Sequence, residues 1–390
     1  MAEAVDILVA GSGPVGAALA LALESGGHSV ALIEARASGT DVSRPADPGD
    51  RRPIALSHAS RLILERLGAW HGMAVTPIES IHVSQQGGFG RTLIRAADYD
   101  LPALGYVAGY GELRRSLADA PCRARRLYGA KLTSVETGSE GRPLVTVQSP
   151  DASVQFAARL TVFADGAPAG EDAAPKGRTK DYRQSALVAR VKSAQAHRGR
   201  AWERFTPQGP LALLPQSNDY ALVWTTGQEH AAQLCALEPA DFLDALRGAF
   251  GDRMGVFTAV ADRADFPLFL RTRGKEAHER CVAIGNAAQT LHPVAGQGFN
   301  LGLRDAWELA RLARDCADPG AREFLARYRR ERSLDRNTGI RMTDTLVSLF
   351  SNSDPLLTIA RGAGLLALDV LPAARGFLAR RMMFGARALP

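Results

Sequence analysis

The chain has 390 residues, of which 46% are apolar and 23% charged, and its net charge is +6 at pH 7. This composition is ordinary for a globular protein, and the length suits about two domains with a large buried core. The modest positive charge allows attraction to anionic lipid or to an acidic partner. It does not predict nucleic-acid binding, because the sequence has no basic run with interleaved aromatic residues.

Targeting and redox features set further limits. No apolar run approaches the ~20 residues of a membrane-spanning helix, and the N-terminus lacks the basic and apolar regions of a secretory signal. We therefore expect a cytoplasmic protein, with contact to the inner face of the membrane as the alternative. The cysteines lie far apart without paired metal-ligand spacing, so we expect free thiols and no metal site. They are Cys122, Cys235, Cys281 and Cys316.

The N-terminal segment has the pattern of a βαβ unit. Val5–Ala10 is a continuous apolar run with one acidic residue, which is typical of a buried parallel strand. A glycine loop follows, and Ala17–Ser25 is rich in alanine and leucine and predicts a helix. Val30–Glu34 predicts the second strand. This order of elements is a Rossmann-type opening.

The loop GSGPVG after the first strand is a candidate phosphate-binding motif. Gly11 allows the tight turn, Gly13 lets a diphosphate approach the backbone, and Gly16 lets helix and strand pack closely. The helix N-terminus then faces the negative diphosphate, and Glu34 can accept hydrogen bonds from ribose hydroxyls. The motif does not separate FAD from NAD. The residues predicted to bind the dinucleotide are Gly11, Gly13, Pro14, Val15, Gly16 and Glu34.

Further along the chain, short strands are followed by helices. Alternation of polar and apolar residues and short apolar runs predict strands at 78–104, 132–147, 154–162, 185–191, 202–205, 211–215, 220–225 and 281–285. Helices are predicted at 57–67, 113–118, 239–250, 298–316, 321–350 and 356–386, the last in two parts divided by Pro372. We expect the strands between residues 185 and 225 to form a sheet that roofs the active site.

Two motifs far from the glycine loop indicate which dinucleotide is bound. The segment GNAAQTLHPVAGQGFNLGLRD runs from Gly285 to Asp305, and a DG pair, Asp165 and Gly166, lies between the two glycine motifs. Together they describe one large FAD held by three distant pieces of the chain. On these motifs the chain resembles the aromatic-ring flavoprotein monooxygenases, and within them the ubiquinone-biosynthesis hydroxylases. The resemblance runs from about residue 5 to the C-terminus and is densest in Gly285–Asp305.

The resemblance implies roles for this densest segment. The family motif reads roughly G-D-A-A-H-x-x-x-P-x-x-G-Q-G-x-N, and its acid binds the ribitol chain of FAD. Here Asn286 replaces the acid and can still hydrogen-bond a ribitol hydroxyl. The helix that begins near Gly298 aims its positive end at the flavin ring, which favours the anionic reduced flavin. The implied cofactor ligands are Gly285, Asn286, Gly298, Phe299 and Asn300, and the implied flavin-ring loop contains Pro293, Gly296, Gln297 and Gly298.

Single residues carry the other matches to the family. His292 lies at the expected flavin face, where a catalytic role and an orienting or structural role are both open. The resemblance implies that Asp165 and Gly166 lie near the FAD diphosphate and the path of the nicotinamide donor. Ala167 and Pro168 depart from the usual continuation of that motif.

Two arginines are candidate cofactor contacts. Arg52, in RPIALS, matches an arginine that approaches the cofactor phosphates in the family, and the alternative is a surface arginine. Gly111 stands where relatives often carry an arginine or glutamine that contacts FAD. That contact is therefore lost in this chain or is supplied from elsewhere, with Arg114 as the candidate.

By resemblance the protein is an FAD-dependent NAD(P)H:O2 monooxygenase. NAD(P)H reduces the flavin, oxygen adds to give a C4a-hydroperoxide, and a hydroxyl passes to the ring of a polyprenylated phenol on the route to ubiquinone. We expect non-covalent FAD and a transiently bound NAD(P)H, since neither an attachment motif nor a second glycine fingerprint is present. The alternatives are a hydroxylase of another aromatic substrate, an NAD-dependent dehydrogenase, or a silent FAD-binding scaffold for other quinone-biosynthesis proteins. A flavin halogenase is disfavoured because W-x-W-x-I-P is absent.

The expected fold is α/β, with a discontinuous Rossmann-like FAD-binding domain, an inserted antiparallel-sheet substrate domain and C-terminal helices. The expected boundaries are 1–75, 105–180 and 272–320 for the FAD-binding domain, 76–104 and 181–271 for the substrate domain, and 321–390 for the helices. The basic, apolar C-terminal region predicts docking on a membrane or a partner, or packing on its own domain. Its arginines are Arg361, Arg375, Arg380, Arg381 and Arg387.

Overall fold

The structure is a computed structural model, which describes residues 2–37, 52–138, 141–166, 177–274, 278–292, 296–350 and 354–386. The helices in these ranges are α1 (Pro14–Leu23), α2 (His58–Arg66), α3 (Tyr110–Asp119), α4 (Gln228–Ala236), α5 (Pro239–Phe250), α6 (Gln297–Ala313), α7 (Arg322–Phe350), α8 (Pro355–Val370) and α9 (Pro372–Phe384).

The strands in these ranges all precede α6 in the chain. They are β1 (Glu3–Ala10), β2 (Val30–Glu34), β3 (Pro53–Ser57), β4 (Thr76–Ile78), β5 (Ser80–Gln85), β6 (Arg91–Arg95), β7 (Gly105–Gly109), β8 (Arg125–Tyr128), β9 (Lys131–Thr137), β10 (Pro143–Gln148), β11 (Ser153–Phe163), β12 (Thr179–Ser193), β13 (Arg200–Thr206), β14 (Gly209–Gln216), β15 (Asp219–Gly227), β16 (Phe257–Thr272), β17 (Cys281–Ala283) and β18 (Gln289–Thr290).

The first half of the molecule, which is predicted to bind the nucleotide, contains a seven-stranded sheet of order β8-β2-β1-β11-β10-β9, with β17 paired to β11. The pairs β1–β2, β1–β11, β2–β8 and β11–β17 are parallel. The apolar run of β1 is buried on both faces, as parallel strands require. Ile7 packs with Leu19 of α1 and Leu309 of α6, while Leu8 packs with Val145 and Phe156 on the other face. The predicted Rossmann-like core is confirmed.

An eight-stranded sheet forms the second half, in the order β18-β16-β12-β15-β14-β13-β5-β6. Its pairs are antiparallel except β13–β5, which is parallel. Leu211, Leu222 and Trp224 on one face pack against Phe242 and Leu246 of α5. The opposite face turns toward the interior of the molecule. A small third sheet has the order β3-β7-β4, and the strands β5 and β6 of the eight-stranded sheet lie between β4 and β7 along the chain.

The predicted elements agree with the structure in part, and the elements missed include β3, β7, β8, β16 and α4. The bounds of β2 and α5 and the helix break before Pro372 are confirmed. The longest strand, β16, was not predicted. It contains Pro267, has Asp262 at φ +57°, and changes register against β12, so no steady alternation marks it in the sequence.

The C-terminal helices close the molecule over the second sheet. No described helix is by itself long and apolar enough to span a bilayer; α8 and α9 reach that criterion only together, and they are bent by 96°. Helix α8 lies close to the start of the edge strand β6. A Cβ added at Gly90, which directly precedes this strand, would lie 2.2 Å from the Gly362 carbonyl oxygen. The Gln85 amide also donates to the Thr358 carbonyl at 3.0 Å.

Candidate active site

One cavity of about 1840 Å³ runs between the two halves of the molecule. The β1–α1 loop, the DG turn after β11 and the start of α6 line one side of it. The inward face of the eight-stranded sheet and residues of α7, α8 and α9 line the other. Of the predicted site residues that the structure describes, Gly16, Gly285 and His292 are the ones that do not line this cavity.

The glycine loop and the DG turn are in direct contact. Gly11 has φ +105°, and a Cβ there would lie 2.5 Å from the backbone of Asp165. A Cβ on Gly16 would lie 1.9 Å from the Gly11 carbonyl oxygen. The contact follows from the parallel pairing of β1 with β11, because the carboxyl ends of both strands meet at one sheet edge. Asp165 and Gly166 both line the cavity.

Two helices begin at the cavity with bare glycines. Helix α1 starts after Gly13 and α6 starts after Gly296, and neither N-terminus has a side-chain cap. A Cβ added at Gly13 or at Gly298 would meet nothing within 4 Å. Uncapped helix N-termini present unsatisfied N–H groups and partial positive charge, which suit a diphosphate and a reduced flavin ring. The residues present therefore fit FAD.

A tight crossing of α1 and α6 positions the second glycine motif. A Cβ on Gly302 would lie 2.9 Å from the Gly285 Cα and 3.0 Å from the Val15 side chain. Gly285 itself has φ +59° and would meet Val15 at 3.1 Å. The neighbouring Asn286 is exposed and lines the cavity. Asn286, the predicted ribitol contact, is thus held beside the glycine loop by backbone packing.

A buried ion network supports this motif from behind. The Asp305 carboxylate accepts from the Gly285 amide at 3.3 Å and from the Gln289 side chain at 2.9 Å. It also pairs with the Arg332 guanidinium at 2.7 Å, and both side chains are buried. Arg332 and Arg304 in turn contact Asp335, at 2.9 and 2.7 Å. Burial opposes ionisation of Asp335, but these arginines hold its pKa at about 2.

Asn300 has a different environment from the one its motif suggests. Its side-chain oxygen accepts from the Ser57 amide at 2.8 Å and the Ser60 hydroxyl at 2.7 Å. Its nitrogen donates to the Ala55 and Gly296 carbonyls, both at 2.8 Å. The side chain is buried and its hydrogen-bonding capacity is used within the protein. Asn300 therefore ties α6 to the strand β3.

Glu34 joins the second strand to the glycine loop. Its carboxylate accepts from the Ser12 amide at 3.0 Å and the Arg36 amide at 2.9 Å. The same end of the cavity is lined by three residues that the sequence did not indicate: Arg36, Tyr128 and Lys131. Tyr128 comes from β8, a strand without a sequence signal that pairs with β2.

Arg52 bridges the two halves of the molecule. Its guanidinium lies 4.9 Å from the Tyr110 ring centroid and 5.5 Å from that of Phe266, on β16 of the second sheet. Arg114, on the inward side of α3, also lines the cavity.

The carboxyl group of Asp165, in the DG turn, has a shifted pKa. Burial raises the pKa of Asp165, and the positive charge of Arg273 partly opposes this rise.

His292 lies behind the cavity rather than on its wall. The ring is buried and packs edge-on against Tyr182, with 5.2 Å between ring centroids. The Tyr182 hydroxyl donates to Asp344 at 3.2 Å. Burial lowers the pKa of His292 to about 4, so the imidazole is neutral at physiological pH. Pro293 lies outside the described residues.

The far wall of the cavity is predominantly apolar. The eight-stranded sheet contributes residues such as Val83, Ala212 and Val223, and the C-terminal helices contribute Leu368 and Met382. Glu203, on β13, is an exception on this wall. Sequence reasoning did not single out the strand positions, because only strand pairing brings them together.

Comparison with known proteins identifies the family. Residues 4–339 match the family model described as FAD binding domain. The ubiquinone hydroxylase UbiL of Rhodospirillum rubrum is 34% identical, over 97% of this chain and 89% of that protein. The 3-demethoxyubiquinol 3-hydroxylase of Escherichia coli is 29% identical, over 93% of this chain and 94% of that protein.

Solved structures share the fold at lower identity. The p-nitrophenol 4-monooxygenase PnpA of Pseudomonas putida superposes with a TM-score of 0.75 at 15% identity, covering 98% of this chain and 99% of its own. The PqsL of Pseudomonas aeruginosa in complex with 2-aminobenzoylacetate gives 0.69 at 21% identity, covering 93% and 99%. The predicted fold class is confirmed. The chain belongs to the FAD binding domain family, with ubiquinone-biosynthesis hydroxylases among its relatives, and is an FAD-dependent monooxygenase.

Proposed function

We propose that the protein hydroxylates the aromatic ring of a polyprenylated phenol in ubiquinone biosynthesis, using NAD(P)H and O2. The observation that carries this proposal is the shape of the cavity, which continues from the two bare helix N-termini to a long apolar wall. The first part suits FAD, and the second suits a ring with an isoprenoid chain. The relatives named as ubiquinone hydroxylases support the same substrate class.

The cofactor lies along the glycine-lined side in this proposal. Bound FAD, once reduced by NAD(P)H, supplies the activated oxygen. The N-terminus of α1 would receive the diphosphate, Glu34 would accept from the ribose, and Asn286 would contact the ribitol. Arg52, which lies between Tyr110 and Phe266, would approach the phosphates. The residues proposed to line the cofactor site are Gly11, Gly13, Pro14, Val15, Glu34, Arg52, Asp165, Gly166, Asn286, Gly298 and Phe299. Gly16, Gly285 and Asn300 are proposed to shape the site through packing and through hydrogen bonds within the protein.

The start of α6 would hold the flavin ring. Gly296 and Gly298 leave backbone exposed there, and Gln297 lies near Met382, with 4.0 Å between Nε2 and Sδ. Asn300 and His292 support this loop rather than react, because the amide of Asn300 is bonded within the protein and His292 lies off the cavity wall. The proposed contribution of these residues is to orient the ring and exclude water.

The C-terminal helices also affect how a substrate would reach the cavity. Their outer surface carries exposed apolar side chains, with Leu356 at 77% and Phe377 at 67% exposure. Others on this surface are Ile359, Leu366, Val370 and Leu371. Arg380 is exposed beside them, whereas Arg361 is buried and donates to the Leu357 and Leu349 carbonyls. Arg387 lies outside the described residues.

This surface suits peripheral contact with the inner face of a membrane. The inner faces of the same helices line the cavity, so a polyprenyl substrate would move from lipid into the site over a short path. The test is flotation with anionic phospholipid vesicles. The double variant Leu371→Glu with Phe377→Glu should lose binding about a hundredfold, from the burial of two large apolar side chains. The control Val256→Glu alters an equally exposed residue far along the chain. Equal flotation of both variants would refute the contact.

Turnover tests the function itself. Acid precipitation of the purified protein should release the yellow flavin into the supernatant, as expected for non-covalent FAD. NAD(P)H consumption that depends on oxygen and yields a hydroxylated prenylphenol separates an enzyme of this specificity from a silent scaffold. A deletion strain should accumulate an unhydroxylated quinone precursor. Unchanged quinone without any precursor, in a strain lacking a paralogue, would contradict the proposal.

A further inference from the structure

Glu203 points into the cavity from the middle of the second sheet. Its neighbours on β13 face the other way: the Trp202 ring packs against Phe250 of α5 at 5.9 Å, and the Arg204 Nε donates to the Ala249 carbonyl at 3.2 Å. Since side chains alternate along a strand, Glu203 faces the interior together with Ala201 and Phe205.

The surroundings of Glu203 are apolar. Its cross-strand partners are Val83 on β5 and Ala212 on β14, and the next residue of the same row is Val223. All three line the cavity. Among the cavity-lining residues that the described strands of this sheet contribute, Glu203 is the only ionisable one. The small side chain of Ala212 leaves space beside the carboxyl.

Within the described ranges, no protein group binds the Glu203 carboxyl. It has neither a hydrogen bond nor an ion pair there, and burial alone raises its pKa to about 7. A carboxyl without a partner in an apolar environment destabilises the fold. Such a group is typical of a site where a ligand completes the hydrogen bonding.

We propose that Glu203 receives the phenolic hydroxyl of the substrate, accepting its hydrogen bond and then its proton. This inference rests on the proposed function, because it requires a phenol in the cavity. Val83, Ala212 and Val223 would enclose the ring, and the carboxylate would be the polar anchor that sets which ring carbon faces the flavin.

The proton transfer follows from ordinary acid–base chemistry. The phenol O–H bond breaks, a new O–H bond forms on the Glu203 carboxylate, and the electron pair stays on the phenol oxygen. That pair raises electron density at the ortho and para ring carbons, which makes them better nucleophiles toward activated oxygen. When the hydroxylated ring regains aromaticity, Glu203 releases the proton to product or water. A general base of this kind contributes typically 10²–10⁴-fold to a rate.

The experiment compares two ligands in four proteins. The ligands are 2-prenylphenol and its methyl ether, 2-prenylanisole, which has no proton to give. The proteins are the FAD-loaded wild type, Glu203→Gln, Glu203→Asp, and Glu229→Gln as the control, since Glu229 is exposed on α4. Binding is measured from the change in flavin absorbance, and turnover from the hydroxylated product. FAD content and thermal unfolding establish that each variant is folded.

We expect the wild type and Glu229→Gln to bind the phenol about tenfold or more tightly than the ether. Glu203→Gln should bind both ligands within about threefold, and its kcat should fall about a hundredfold with normal FAD content. Glu203→Asp, which keeps the carboxyl, should recover part of the rate. If Glu203→Gln kept the wild-type preference for the phenol over the ether and the wild-type kcat, the role of Glu203 would be overturned while the proposed function would stand. A wild type that neither prefers nor hydroxylates the phenol would overturn the proposed function and this inference together.

Discussion

The two walls of the cavity are made of different parts of the polypeptide. The wall proposed to bind FAD, here named the cofactor wall, consists largely of backbone: bare glycines at the starts of α1 and α6, and turns that contact each other without intervening side chains. The wall proposed to bind the substrate, here named the substrate wall, consists of side chains from paired strands and from α7–α9. A backbone wall requires glycines at defined spacing, whereas a side-chain wall requires only that apolar residues fall on one face.

The difference extends to how each wall is supported. Behind the cofactor wall lies the buried network of Asp305, Arg332 and Asp335. Behind the substrate wall lie apolar contacts between the sheet and α5, such as Leu222 with Phe242. We therefore expect substitutions at the first wall to be costly for folding or FAD, and substitutions at the second to change the substrate with smaller structural effects.

The largest expected effect is at Arg332. Replacing it with leucine leaves Asp305 charged and buried without its partner, so we expect a loss of about 3–5 kcal/mol in the free energy of unfolding. Urea denaturation measures this loss. The control Arg329→Leu changes an exposed arginine on the same helix and should stay within about 0.5 kcal/mol. Equal stability of the two variants would show that the network does not support the cofactor wall.

A glycine pair separates packing from cofactor binding. Gly16→Ala places a Cβ against the Gly11 carbonyl oxygen, so the flavin-free protein should lose about 3 kcal/mol, the upper part of the range for overpacking. Gly13→Ala meets no protein atom, and its φ of −63° suits alanine. It should leave the flavin-free protein stable but weaken FAD binding. Urea unfolding measures the stability of each flavin-free variant, and FAD titration measures its affinity for the cofactor. If Gly13→Ala lost stability and Gly16→Ala did not, the two glycines would have been assigned the wrong roles.

Glu203→Gln should stabilise the protein in a pH-dependent way. Burial raises the pKa of Glu203 from 4.5 to about 7, so between these pH values the folded protein binds more protons than the unfolded chain. Stability therefore falls as pH rises through this window. The rise of about 2.5 pH units corresponds to at most about 3 kcal/mol, at ~1.4 kcal/mol per unit. We expect urea unfolding to show a gain near this limit at pH 8 and almost none at pH 4.5. An identical gain at both pH values would contradict an ionised Glu203 as its cause.

The smallest expected energy is electrostatic, at the start of α6. Gly298→Asp puts a negative charge where the ring of reduced flavin is proposed to lie, which opposes the anionic form by about 1 kcal/mol or more. We expect a lower flavin reduction potential or loss of FAD, with slow reduction by NAD(P)H. Thr290→Ser is the mild control and should keep the cofactor. Wild-type FAD content, potential and turnover in Gly298→Asp would show that this loop does not contact the flavin.

Local patterns predicted several structural features correctly. The predicted bounds of α5 match the structure because Pro239 and Gly251 mark the ends of the helix. The predicted break between α8 and α9 matches because proline cannot continue a helix. The irregular strand β16 could not be found, since its bulges and Pro267 remove the period on which strand prediction depends. The domain boundaries and the roles of individual site residues stay predictions.

The amino-acid sequence by itself predicted that a dinucleotide is bound, because close approach of backbone to phosphate demands particular glycines at particular spacings. The remote motifs, through their resemblance to the flavoprotein monooxygenases, indicated that this dinucleotide is FAD. The tertiary structure decided where side chains point. It committed the Asn300 amide to Ala55, Ser57 and Ser60, placed His292 off the cavity wall, and brought Glu203 to an apolar row formed by Val83 and Ala212. Such outcomes depend on strand register and helix crossings between residues far apart in the chain, for which neighbouring residues carry no signal.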